Sequence, residues 1–155
     1  MFFLCANNKY ILICFISLFI LSCNREEDRD VMSKLSRWDL QLNDNPYSIM
    51  DSLEAIDVSN ISQSERAYYN LLLTIARDKT YYDFTNDSLI SKSEEYYNSN
   101  KINNNNHVRA LMYQGIVRTR MGVKDSTSYL PLRRAETIFE ADKKKDPQTG
   151  YMLNY

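Results

Sequence analysis

Residues that break helices are scarce in this chain: three glycines and three prolines among 155 residues. Long apolar periodicity and a lack of Val/Thr-rich alternating runs point the same way, to helices rather than strands. Reactive side chains are scarcer still. His107 is the sole histidine, so one chain cannot assemble a two-histidine metal site or a pair of catalytic imidazoles. Beside a polar tract, it reads as a solvated helix start that tolerates either charge state. There is no glycine-rich phosphate loop, no metal-ligand cluster and no nucleophile with a visible base. The expectation is a non-enzyme with no catalytic residue, no metal and no cofactor.

What is present begins with an apolar run from Tyr10 to Leu21, preceded by Lys9 and followed by Ser22-Cys23. A bilayer-spanning helix needs about 20 apolar residues, and this core is shorter. One basic residue, a short apolar core and a small residue before a cut site form an export pattern. Ile20-Leu21-Ser22-Cys23 resembles the lipobox of a bacterial lipoprotein. The resemblance implies a signal peptide over 1–22, cleavage before Cys23, and attachment to a lipid membrane through acyl chains on that cysteine, with 23–27 as the attachment segment. Cys5 and Cys14 would leave with the signal, and lipid would occupy Cys23. No thiol would then remain for disulfides, zinc or nucleophilic catalysis. Loss of Lys9 moves the formal charge from −1 to about −2, which gives no drive toward nucleic acid.

Face spacing and punctuation place the helices. Val31, Leu35, Trp38 and Leu42 share one side of a helix near 28–42. Asp44-Asn45-Pro46 stops it and starts a second, with Pro46 in the first turn and Ile49, Leu53 and Ile56 as the apolar side. Ser62 and Glu65 have capping-box spacing for a third helix, whose stripe is Tyr68, Leu71, Leu72, Ile75 and Ala76. Thr85-Asn86-Asp87-Ser88 caps a fourth, with Leu89, Ser93, Tyr96 and Tyr97 inward. Asn98 to Asn106 reads as a polar loop, because asparagine side chains compete for backbone hydrogen bonds. Val108, Leu111, Met112, Gly115, Ile116 and Thr119 form the most regular stripe, and Gly122 can end that helix in a left-handed conformation. A sixth helix is expected over about 130–143 around Leu132, Ala135 and Phe139, with Pro131 near its first turn.

These segments pair as roughly 28–57, 64–98 and 107–143, with starts about 36 and 43 residues apart, a repeat signature. The expected fold is all-α: antiparallel helix pairs stacked as a short right-handed solenoid, with a compact six-helix bundle as the alternative. Tyr68, Leu71, Leu72 and Ile75, then Gly115 and Gly122, then Ala135, Phe139 and Pro147 resemble the spacings of tetratricopeptide (TPR) repeats. Gln114 and Arg118 depart from that pattern by occupying places usually apolar or aromatic, and the stretch from Gly115 to Ala135 is about eight residues too long. Ala76-Arg77-Asp78-Lys79, Asp87-Ser88-Leu89-Ile90 and Tyr96-Tyr97 resemble the repeat-bearing lipoproteins of Bacteroidetes.

The resemblance covers 28–155 and implies a TPR-like helical repeat domain at the outer membrane. Glu26, Glu27 and Asp28 partly fit a surface-export signal, while Arg25 interrupts it, which leaves the cell surface and the periplasmic face both open. Their simpler reading is favourable charge at a helix start. Asp146-Pro147 looks like a further cap, and Tyr151, Met152 and Tyr155 begin a stripe that stops with the chain. The last repeat is therefore read as incomplete, from truncation or from docking on a partner. Longer relatives add repeats, and some continue into a membrane segment and a signalling module, so the chain is also read as the sensor part of a signalling protein.

The expected binding face lies on the first helices of the pairs. Arg66 and Arg77, like Arg109 and Arg120, are 11 residues apart and return to nearly one direction, with Tyr69 beside the first pair. In TPR proteins the corresponding groove holds extended peptides, so an acidic segment or peptide carboxylate is the expected ligand. A salt-bridged, solvated helix surface is the competing reading. The functional expectation is a non-catalytic, membrane-anchored protein-interaction scaffold. The alternative is a nutrient- or glycan-binding lipoprotein that stacks sugars on Trp38 and tyrosines.

Overall fold

A computed structural model describes residues 31–102, 104–142, 147, 149 and 150. The signal segment, Cys23, Asp28 and the residues Asp146, Tyr151, Met152 and Tyr155 lie outside them. Six helices and no strand occur among the described residues: α1 (31–41), α2 (Pro46–Ala55), α3 (Gln63–Lys79), α4 (Ser88–Ser99), α5 (Asn105–Arg120) and α6 (Ser126–Ala141). Pro147, Thr149 and Gly150 are also helical.

Local chemistry sets most of these boundaries. Pro46 opens α2 at its first position, where a missing N–H leaves no acceptor stranded. At α3 the capping box closes in both directions: the Glu65 N–H donates to Ser62 Oγ at 3.3 Å, and the Ser62 N–H donates to Glu65 Oε2 at 2.9 Å. Helices α3, α4 and α5 end alike, with Tyr81, Lys101 and Gly122 at positive φ. The N–H groups of Tyr82, Ile102 and Val123 then reach back to the carbonyls of Arg77, Tyr97 and Arg118 at 2.9, 2.9 and 3.0 Å. Glycine was expected at one of these caps and fills one, while a tyrosine and a lysine fill the others.

Three expectations are corrected. The asparagine tract is not one loop: its first residues finish α4, and Asn104 caps α5 by accepting from the His107 N–H at 3.1 Å. His107 begins a helix as expected, yet it is 1% exposed rather than solvated, stacked on Tyr97 with Nε2 at 3.6 Å from Glu94 Oε1. Helix α6 starts at Ser126, with Asp125 accepting from the Thr127 N–H at 2.8 Å, so Pro131 falls inside the helix instead of in its first turn.

From α2 onward each helix packs on the next, α3 also packs on α5, and α6 reaches α4 through Arg134, which meets Glu94 and Asn98 at 3.2 Å. One apolar core takes Leu35 of α1, Leu42 of the turn that follows it, Ile49 and Leu53 of α2, Leu71, Leu72 and Ile75 of α3, Ile90 and Tyr97 of α4, and Tyr113 and Val117 of α5. Ile90 is buried in this core, and Leu89, half-buried, packs against it. A second core joins Val108, Leu111 and Met112 to Ala135, with Leu132, Ile138 and Phe139 around it. Helix α5 therefore carries apolar residues for two cores. A Cβ on Gly115 would lie 2.7 Å from both the Ser128 carbonyl oxygen and Leu132 Cγ, so this glycine lets α5 and α6 approach closely.

Candidate binding site on the first helices

The four arginines expected to line a groove are all engaged within the fold. Arg66, in the first turn of α3, donates to the Val58 carbonyl in the preceding loop. Arg77 donates to Glu54 of α2 at 3.0 Å and lies 4.7 Å from the ring centre of Tyr82. Tyr69 is half-buried beside them, and burial raises the pKa of its phenol against the opposing pull of Arg77. This set faces α2 and the loop that follows it.

Arg109 and Arg120 face elsewhere. Arg109 makes a bidentate pair with Asp39 of α1, at 2.6 and 2.7 Å, and Asp39 also accepts from the Tyr68 hydroxyl of α3 at 2.7 Å. One carboxylate thus ties together the first helices of all three pairs. Arg120 donates to Asp78 of α3 at 3.1 Å. The expected stripe therefore divides into two sets, and each guanidinium has an internal acceptor.

Beside the Asp39–Arg109 pair lies a cavity of about 320 Å3, lined by α1, the turn after it, α3, α5 and Thr149. Asp39, Leu40, Asn43 and Asp44 form one side, and Arg109 and Tyr113 the other. Leu40 is 84% exposed at this site. It stands off the apolar stripe of α1, and an apolar residue in that register is the sequence signal that could have found the site. Tyr113 is 3% exposed, yet its hydroxyl has no hydrogen-bond partner among the described residues. Burial, reinforced by the Asp78 carboxylate, pushes the Tyr113 phenol up to about 12, so it stays neutral and able both to donate and to accept.

Trp38 and the remaining tyrosines offer less. Trp38, Tyr96 and Tyr97 pack in or against the main core, and Tyr82 is stacked by Arg77 and edged by Phe84. Among the described residues, no group of three or more His, Cys, Asp or Glu could hold a metal ion, and no helix is long and apolar enough to cross a membrane. No protein-family model, curated protein or solved structure matches the chain.

Proposed function

We propose that the protein is a lipid-anchored, non-catalytic interaction scaffold whose helix pairs stack as a short TPR-like right-handed solenoid. Its binding site is the cavity between α1, α3 and α5, and its partner is a protein or peptide. The stepwise packing of α2 to α6, with α3 touching α5, supports stacked pairs. The lipobox-like Ile20-Leu21-Ser22-Cys23 supports a membrane tether, and the resemblance to Bacteroidetes lipoproteins supports the outer membrane as its location. One observation carries the site: Tyr113, otherwise buried, lines the cavity with a hydroxyl that has no partner among the described residues and is therefore available to a ligand.

Affinity capture from membranes tests this reading. Leu40→Cys, capped with a bulky neutral maleimide, covers the cavity mouth without touching either core. Partners held by the uncapped variant should be lost on capping; equal recovery would remove the cavity from consideration. Mass analysis of the mature amino terminus tests the tether, since an unmodified Met1 is incompatible with it. Glycans that bind in calorimetry, unaffected by capping, would favour a nutrient-binding lipoprotein instead.

A further inference from the structure

The cavity carries the opposite charge to the one the arginine stripe suggests. Arg109 is its lining guanidinium, and both terminal nitrogens are committed to Asp39. Arg120 is turned onto Asp78. Asp44 also lines the cavity, is exposed, and has no cation partner among the described residues. Among the described residues, two lining carboxylates against one guanidinium leave one negative charge without a counterion. An acidic peptide would have to displace an internal carboxylate from a bidentate pair and then sit beside Asp44, which electrostatics opposes twice over.

We propose that this cavity binds a basic side chain, lysine or arginine, of a partner polypeptide. The inference rests on reading the cavity as the binding site. Asp44 supplies the counter-charge, the neutral Tyr113 phenol supplies an oxygen acceptor within the cavity, and exposed Leu40 covers the aliphatic stem of the incoming residue. The Asp39–Arg109 pair holds the wall in place, and Asn43 adds a further polar group to the rim.

Fluorescence anisotropy of the full chain in detergent, with labelled hexalysine, hexaglutamate and hexaserine, tests the proposal. Hexalysine should bind best and weaken as salt rises. Asp44→Asn should weaken it about five-fold, and Tyr113→Phe about three-fold, without lowering the melting temperature. Hexaglutamate as the preferred peptide, lost when Leu40→Cys is capped, would keep the cavity and overturn its charge preference. Hexalysine binding that ignores Asp44→Asn, Tyr113→Phe and capping would overturn the site itself. Spermidine binding with the same substitution pattern, but no hexalysine binding, would assign the site to a free amine and overturn the polypeptide partner.

Discussion

Arg118 donates from Nη1 to the carbonyl oxygen of Thr127 at 2.8 Å, and Thr127 lies four residues before Pro131. A proline inside a helix removes the N–H that would serve that carbonyl. The guanidinium of α5 thus replaces a missing donor in α6, while its Nε is held by Asp87 at 2.6 Å. This also explains why a charged residue stands where a TPR-like pattern places an apolar one.

The replacement can be measured as a coupling. Arg118→Met should destabilise the wild-type chain more than it destabilises Pro131→Ala, where residue 131 recovers its N–H. A difference of about 1 kcal/mol in a double-mutant cycle from urea unfolding is expected. Loss of the Asp87 pair is common to both arms and cancels. Strict additivity would show that Thr127 gains nothing from Arg118.

Interhelical spacing gives a second prediction. Gly115→Ala places a methyl against the backbone oxygen of Ser128, which has no rotamer to adopt, so α5 and α6 must separate. A loss of about 1–3 kcal/mol is expected, as for overpacking elsewhere. Gly122→Ala meets no neighbour and is penalised through its φ of +82° instead. Tyr81, at φ 61° and 84% exposed, gives the converse case. Tyr81→Gly relieves left-handed strain but adds unfolded-state freedom, for a net gain of about 0.5 kcal/mol. Thermal unfolding of the three variants should rank Tyr81→Gly highest and Gly115→Ala lowest.

These positions show what was legible in the sequence. Ser62 with Glu65, Pro46 and Gly122 act within a few residues of themselves, so their caps could be read directly. Pro131 misled because prolines favour first turns, and its compensation comes from Arg118 in another helix. The asparagine tract misled for a related reason. Asn104 does compete for a backbone N–H, but it does so as the cap of α5, and tertiary packing carries α4 through Ser99. The cavity was least legible, since Asp39 and Arg109 are 70 positions apart and Leu40 gains meaning only once the first helices converge.

Acid should act through Glu94. His107 of α5 and Arg134 of α6 both face this carboxylate of α4, and their interactions, His107 first, hold its pKa below the ordinary glutamate value against the opposing effect of burial. A carboxylate with a depressed folded pKa contributes stability above its unfolded value, near 4.5, and loses it as pH falls through the folded value. Melting temperatures measured downward from pH 5 should fall less steeply for Glu94→Gln than for wild type. Parallel curves would show that acid sensitivity resides elsewhere, for instance at Asp125, whose pKa is lowered by Thr127.

The Asp39–Arg109 pair supports the sharpest stability prediction, because three helices depend on it. Arg109→Met leaves Asp39 with the Tyr68 hydroxyl alone in a site mostly closed to solvent. Breaking such a pair from one side strands a charge, and a loss of about 3 kcal/mol is expected in urea unfolding. Asp39→Asn should cost less, because a neutral amide can still accept from Tyr68 and from one guanidinium nitrogen. Replacing both members, Asp39→Leu with Arg109→Met, removes the stranded charge and should recover part of the loss. If Arg109→Met unfolds at the same urea concentration as wild type, the bidentate geometry is a surface contact of little consequence, and the wall of the cavity must be held by the apolar core alone.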